Sequence, residues 1–584
     1  MKFISLSHTV LATATALLLS TAAQAQCPAD PLNNTTWSFH AEEADYNFTT
    51  VGGASYIGTF KVARTTVART FAVTGTMTVN TGGGVTRLAS IVGSAQLEGQ
   101  GGSLLFSYGR QSVLWQFVFG NSCSEIDLVS EKLGNPSINQ VLDGKALRID
   151  SQQPCPANPY LLLDVTSAPT GWSFHTEQGS FQGTQGLSGI GTLIPRFASN
   201  GRDPNARGIL TANVTANVGP GLSVYRNAIS GGQYQVYGDC SGGTLQFQVG
   251  PAAVQYEFVF ADGSYNQLFL LSTTLTRQTD DGNYEVLSGY ARKNTNLGTA
   301  GCPADSLNNT TWAFQAATQD FDNTPSFASV GRFSINRISD PRNVGQQILS
   351  LTGTQSLNDN GNLIRFLSIA GKAQLDGFGG TLQFATGSEG TLWQFAFSND
   401  CKEMYMVNEV YLASARNQRK IAKASAVRID APAACPANAS LLLDPAFAPT
   451  GWTFTTRTAT WSRGAGISAI GWLNPAYLIN AAEPRSRSAM RGIISTNVGG
   501  RVNMGSNLVG TSSIFRNAST NGVYQVYPDC SGGNMSMMVG PFLTEYEFVF
   551  ADGAYSQILM VGRAQNSSYN GAENHILTGT ASKY

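Results

Sequence analysis

A hairpin that recurs four times limits this 584-residue chain more than any other feature. Its clearest copies run from Tyr234-Gln-Val-Tyr-Gly-Asp-Cys240 through Tyr256-Glu-Phe-Val-Phe260 to Gly263, and from Tyr524 to Gly553. Weaker copies run from Gly101 to Phe119 and from Gly379 to Phe397. Each reads as a strand, a turn, and a second strand with aromatics at alternate positions (Tyr256, Phe258, Phe260). A period of two marks a pleated strand with one buried face. Gly is abundant, at 63 residues, and charged residues make up only 12%, which fits short strands and tight turns.

The cysteines set the larger repeat. Four modules open with Cys-Pro-Ala at Cys27, Cys155, Cys302 and Cys435, followed by Trp-x-Phe at Trp37, Trp172, Trp312 and Trp452. Each closes on a strand with a basic residue: Arg148, Arg292, Arg428 or Lys583. Modules one and three share Asn-Asn-Thr-Thr-Trp openings, and modules two and four share Thr-Gly-Trp. The order is A-B-A-B with a super-repeat of roughly 275 to 290 residues. The expected units are a leader over 1–25 and modules over 26–150, 151–298, 299–430 and 431–584. The second module offers eight strands: 171–178, 186–197, 207–218, 225–237, 243–249, 255–260, 266–276 and 284–293. Gly, Asn and Asp fill the joints, and no helical pattern separates neighbours, so the strands pair antiparallel. The fold class is all-β, with four tandem eight-stranded up-and-down barrels, since closure removes exposed edges.

In such a barrel strands 1, 3, 5 and 7 start at one end. The opening cysteine lies there, and so do the turns carrying Cys240 and Cys530 (strands 4–5) and Cys123 and Cys401 (strands 6–7). The expected disulfides are Cys27–Cys123, Cys155–Cys240, Cys302–Cys401 and Cys435–Cys530, each worth about 4–5 kcal/mol in loop-closure entropy. Pairing between modules, such as Cys123 with Cys155, is the open alternative. The same geometry sets the last strand beside the first. Arg148 is then expected on Trp37, Arg292 on Trp172, Arg428 on Trp312 and Lys583 on Trp452, cation–π contacts of about 0.5–2 kcal/mol.

Thr170-Gly-Trp172 and Thr450-Gly-Trp452 on a first strand, with a basic residue on the last, resemble the lipocalin or calycin barrels. The Thr-Gly-Thr-Ala ending resembles secreted bacterial barrel proteins without an assigned activity. The resemblance implies eight-stranded barrels and a small hydrophobic ligand. Four barrels in one chain depart from the usual single lipocalin barrel.

Lys2, the apolar run from Val10 to Leu19 and Ala23-Gln-Ala25 read as a cleaved export signal, so the expected location is secreted or periplasmic. No later stretch is apolar and long enough for a transmembrane helix. Gln26 stands where a lipoprotein signal places a small residue before the cysteine. A formal net charge of −1 argues against nucleic acid or an anionic membrane as partner. Cysteines without CxxC or histidine spacing make zinc unlikely and disulfides the default, so no cofactor is expected.

Chemistry-bearing residues are sparse. His40 and His175 hold equivalent places, and the other modules carry Gln315 and Thr455 there, so a surface or rim position is expected. With His575 they complete the histidines outside the leader, and no Ser-His-Asp pattern follows. Glu257 and Glu547 sit in the aromatic strand where modules one and three have Gln116 and Gln394. Alternation puts them opposite Tyr256, Phe258 and Phe260, hence in solvent if the aromatics form the core. Asp239, Asp529, Glu98 and Asp376 read as turn caps, with calcium the alternative. The paired glycines at 101–102, 242–243, 379–380 and 532–533 read as tight turns. Asn34, Asn47, Asn213, Asn309 and Asn566 head glycosylation sequons.

The expected function is a secreted non-enzymatic multi-barrel protein. It binds a small apolar ligand or serves as an extracellular interaction or structural module with a surface or matrix partner. One alternative is a hydrolase acting on a glycan or lipid-like substrate, with Glu257 and Glu547 inside the barrels. Another is a membrane barrel, which needs an apolar outer band.

Overall fold

The computed structural model describes residues 27–583 except 28–29, 44–53, 82–83, 121–122, 134–140, 151, 165–170, 181–186, 198–207, 219–222, 277–285, 295–306, 319–326, 338–347, 360, 377–378, 387–388, 399–400, 413–421, 444–450, 461–464, 477–487, 505–506, 511–512 and 566–574. The expected leader and Cys302 lie outside the described residues, as do Asn47 and Asn566.

Alternating patterns close into barrels as read. The first contains Thr35–Glu43, Ser55–Arg64, Thr70–Asn80, Val85–Glu98, Gly101–Tyr108, Gln111–Gly120, Glu125–Leu133 and Leu142–Arg148. The second contains Trp172–Ser180, Leu187–Arg196, Gly208–Val218, Ser223–Val236, Gly242–Val249, Ala252–Phe260, Gln267–Thr276 and Val286–Lys293, each end within three residues of the sequence reading. The third runs from Thr310–Thr318 to Ala422–Ile429, and the fourth from Trp452–Thr460 to His575–Lys583. In the fourth, the short strand Asn507–Gly510 adds a hairpin to the long third strand, Ser488–Met504, which also pairs with Ala465–Ala476 to close the barrel. All pairings are antiparallel, and each first strand is held by the second and the last.

The alternate aromatics face inward and fill the barrels. In the first barrel Phe39, Phe60 and Phe106 form a triad with centroids 5.2–5.8 Å apart. Phe314, Phe333 and Phe384 repeat it in the third, at 5.4–5.7 Å. Phe247 packs between Phe174 and Tyr256 in the second. In the fourth, Met490, Met535, Met537 and Met560 take part of that volume beside Phe454, and the unbranched thioether suits an irregular gap. An apolar inside is the reverse of a membrane barrel. Among the described residues no helix is long and apolar enough to cross a membrane.

The paired glycines are not turns. They open the fifth strands, and a Cβ on Gly242 would lie 2.1 Å from the Phe258 carbonyl oxygen, with one on Gly243 2.0 Å from that of Gln235. Close approach of neighbouring strands requires glycine here.

The four barrels form a ring, packing first on second, second on third, third on fourth and fourth back on first. The same joint recurs each time. An asparagine in the second half of one barrel's third strand donates its amide to a carbonyl on the next barrel's seventh: Asn80 to Ser272 (2.6 Å), Asn217 to Asn408 (2.6 Å), Asn358 to Gly562 (2.7 Å) and Asn497 to Ser130 (2.5 Å). An arginine opening the fourth strand meets a buried glutamate of the next barrel: Arg87–Glu257, Arg226–Glu409, Arg365–Glu547 and Arg516–Glu131. Ile57, Val259, Phe269 and Leu271 seal the first joint, and Val330, Val561 and Ile576 the third.

Candidate functional site

Alternation that sends Trp37 and Phe39 inward sends His40 and Glu42 outward, and closure of the ring turns "outward" into "central". The first strands line the ring axis in matching layers, with His40, His175, Gln315 and Thr455 in one and Glu42, Glu177, Ala317 and Arg457 in the next. They enclose a cavity of about 350 Å³ to which all four barrels contribute.

The cavity is charged but internally paired. Arg457 of the fourth barrel bonds Glu42 and lies 3.3 Å from Asp143, both in the first. Ser288 of the second donates to Glu42 at 2.7 Å. Lys423 of the third pairs with Glu177 of the second, and Lys145 with Glu125 at 2.7 Å. Burial opposes ionisation of Glu42, but Arg457, with help from His40 and Lys423, outweighs it and holds the carboxyl below its usual range. Burial pushes Asp127 and Asp143 up to about 6, against Lys145 and Arg457 respectively. Burial, with the Arg457 charge adding, brings Lys423 down to about 7.

The two equivalent histidines are at neither the outer surface nor a rim, but in the joints around the ring axis. His175 is 4% exposed, between the rings of Tyr290 (5.6 Å) and Tyr405 (5.9 Å) of the next barrel. Burial lowers its pKa to about 3, with Lys423 adding to the effect. His40 stacks on Phe269 of the second barrel at 5.8 Å, and burial lowers its pKa against the pull of Glu42. His575 lies apart, inside the fourth barrel against Phe542.

Glu257 and Glu547 are not in solvent. Each is 1% exposed, outside its own barrel but inside a joint. Glu257 accepts from the Tyr237 hydroxyl at 2.6 Å, with Arg87 3.8 Å away. Glu547 accepts from Tyr527 and meets Arg365 at 2.6 Å. Burial raises both, Glu547 to about 7. No second carboxylate is among the groups that shift Glu257, and the one beside Glu547, Glu545, is taken by Arg563 at 2.8 Å. The paired-carboxylate geometry of a glycosidase is not assembled at either residue.

Cys27–Cys123, Cys155–Cys240 and Cys435–Cys530 are disulfides, and Cys401 is disulfide-bonded. The second cysteine of every barrel adopts a left-handed φ (54–69°), although its turn differs between barrels. Lys583 lies 5.5 Å above the Trp452 ring, but over Trp172 the structure places Lys293 at 5.3 Å, not Arg292. Lys293 is the cross-strand partner of Trp172, whereas Arg292 partners Ser173, faces outward and bonds Glu403 of the third barrel at 2.5 Å. Arg148 and Arg428 oppose Trp37 and Trp312 across the strands, but their guanidinium groups turn to Asp150 and Asp430. The indoles of Trp37 and Trp312 bond instead to Thr35 and Thr310.

Asp239 and Asp529 cap their turns by accepting from Ser241 and Ser531. Glu98 accepts from Asn517 of the fourth barrel at 3.0 Å. Among the described residues no cluster of three or more His, Cys, Asp or Glu could hold a metal. Sequence reasoning missed the joint residues Arg87, Arg226, Arg365, Arg516, Glu131 and Glu409. Their signal was available: an arginine lies in the opening turn-side residues of every fourth strand, and an asparagine is the last or next-to-last residue of each third strand's pairing with the fourth.

No family model and no curated protein matches the chain. Among solved structures, intact Ap-TbpB (N and C lobes) is similar at 10% identity over 68% of this chain and 76% of that one, with a TM-score of 0.16. A transferrin binding protein B variant from Haemophilus parasuis gives 11%, 68%, 76% and 0.16. CghA with Sch210972 gives 10%, 68%, 88% and 0.16. At such scores the likeness transfers nothing to this chain.

Proposed function

We propose that this is a non-enzymatic extracellular protein that acts as a rigid interaction and structural module. Its lipocalin-like barrels serve as filled struts rather than as cups for an apolar ligand. The observation that carries the reading is the packing of the barrel interiors. Trp37, Trp115, Trp172, Trp312 and Trp452 are fully buried there, and the phenylalanine triads occupy the volume where a lipocalin ligand would sit. An eight-stranded barrel has an interior just wide enough either to be filled by side chains or to hold one small ligand, and large aromatic side chains favour the first. The disulfides suit an oxidising compartment outside the cytoplasm, in keeping with the expected export signal.

Native mass spectrometry of the protein purified from its own host tests this, before and after mild organic extraction. The expected mass is that of the polypeptide less eight hydrogens, unchanged by extraction. An apolar adduct lost on extraction would overturn the filled-barrel reading.

A further inference from the structure

The joints of the ring are of two chemical kinds, and the kinds alternate. Where the first barrel meets the second, and the third meets the fourth, the buried glutamate stands on a sixth strand and accepts from a tyrosine: Glu257 from Tyr237 at 2.6 Å, and Glu547 from Tyr527. These joints are sealed by apolar side chains, Ile57 with Phe269 in one and Val330 with Val561 in the other. The connecting backbone is fastened there from both sides. Gln153 and Ala433 donate to the Gly263 and Gly553 carbonyls, and accept from the Tyr265 and Tyr555 hydroxyls, all at 2.8 Å. Where the second barrel meets the third, and the fourth meets the first, the glutamate stands on a seventh strand and accepts from a glutamine: Glu409 from Gln394 and Glu131 from Gln116, both at 2.6 Å. These joints are crossed by charge, through Arg226–Glu409 and Lys423–Glu177 in one and Arg516–Glu131 and Arg457–Glu42 in the other. The ring is thus two firmly joined pairs of barrels, held to each other by ion pairs.

Each pair carries both sides of the interface between them. The first pair gives Asn217 and Arg226 and receives at Ser130 and Glu131. The second gives Asn497 and Arg516 and receives at Asn408 and Glu409. The two pairs therefore meet as the subunits of an isologous dimer do, with every contact answered by its counterpart. Nothing in this surface separates the pair on the same chain from a pair on another chain. Only the connection between Asn294 and Leu307 does so, and at roughly 3.3–3.6 Å per residue it reaches about 40 Å when extended.

We infer that the partner this interface fits is a second copy of the chain, and that two copies exchange pairs, the first two barrels of one closing a ring with the last two of the other. This gives the proposed interaction module a partner. It uses only outer faces, so a ligand found inside a barrel would overturn the filled-strut reading and leave this one standing. By mass action the single closed chain prevails in dilute solution, because a linker holds its two pairs at an effective concentration of about millimolar. Exchange prevails where the fit within one chain is spoiled and the fit between two chains is kept.

Charge reversal at the fourth-on-first joint creates that situation. Arg516→Glu alone sets two carboxylates against each other, and Glu131→Arg alone sets two guanidinium groups. In an exchanged dimer of the two variants, one ring holds the native pair and the other the reversed pair. The test mixes the two full-length variants, one labelled with ¹⁵N, in high salt that screens the pairs. They are then returned to low salt and read by native mass spectrometry and by size-exclusion chromatography with light scattering. A dimer of one labelled and one unlabelled chain is expected, at least about tenfold more abundant than dimer of either variant alone. The double variant, Arg516→Glu with Glu131→Arg, is expected to be a monomer with the thermal midpoint of wild type, which reports that the reversed pair is accepted. A mixture with no more dimer than the single variants would overturn the inference, and so would a double variant that dimerises as freely as the mixture. Labelled and unlabelled wild type, concentrated to about millimolar and treated in the same way, carry the test whether or not the single variants fold. Mixed dimers are expected there, and their absence would overturn the inference.

Discussion

Glu547 carries the sharpest prediction, because the joint sets two electrostatic effects against each other at one carboxyl. Its side chain is 1% exposed and meets Arg365, which is 43% exposed. Burial raises its pKa from the ordinary 4.5 to about 7, and the Tyr527 hydrogen bond and Arg365 recover only part of that. Between these values the folded state binds more protons than the unfolded chain, so this group's contribution to stability falls as pH rises through the window. At 1.36 kcal/mol per pKa unit, the loss is about 3 kcal/mol. Glutamine lacks the proton equilibrium and already stands at the equivalent places, Gln116 and Gln394, where it donates to Glu131 and Glu409. Urea unfolding of wild type and Glu547→Gln at pH 5 and pH 8, followed by tryptophan fluorescence, is the assay. The two proteins should be close at pH 5, and the variant more stable by about 3 kcal/mol at pH 8. An equal difference at both pH values, or a variant weaker at pH 8, would show that attraction to Arg365 exceeds the cost of burial, and would refute the reasoning.

Three further outcomes follow from the ring. Arg457→Met leaves the Glu42 and Asp143 carboxyls without their cation and should cost about 3 kcal/mol, read as a lower thermal midpoint by calorimetry. Replacing Cys155 and Cys240 together by alanine opens a link between residues 85 positions apart, which should lower stability by about 4–5 kcal/mol in the chain-entropy model; a denaturation midpoint unchanged from wild type would contradict it. Gly242→Ala sets a Cβ against the Phe258 carbonyl oxygen, 2.1 Å away, and should reduce the yield of folded protein in size-exclusion chromatography, whereas Gly231→Ala, with nothing within 4 Å, should not.

The barrels were legible in the sequence because each strand records its own inside. Period-two aromatics, turn residues and the Trp-x-Phe openings all report on a face within the module, and the disulfide geometry follows from counting strands. The site was not legible, because its residues face out of their own barrels. His40 is an ordinary outward residue of one strand, and only Phe269 of the next barrel and Arg457 of the fourth make it central. Glu257 was misplaced for the same reason: the period correctly set it opposite Tyr256, but that face is covered by Arg87 and its barrel. The Trp172 partner failed by one residue. Consecutive strand residues point to opposite faces, so choosing Arg292 over Lys293 moved a cation from the tryptophan to the joint with Glu403. Comparing the modules with one another would have recovered the arginines that open the fourth strands, since all four carry one.

The recurring asparagine and arginine joint separates the order of reading from the order of neighbours. Four joints hold the ring, while the polypeptide passes between barrels only three times. The joint of fourth barrel on first, Asn497 to Ser130 with Arg516 to Glu131, is made with the same residue types as the ones the chain bridges. The backbone is pinned at the first and third passages, where Gln153 bonds Gly263 and Ala433 bonds Gly553 at 2.8 Å. The fourth-on-first contact is therefore as specific as those between barrels that follow one another in the chain. A circular permutant whose reading frame opens at the third barrel would specify the same neighbours.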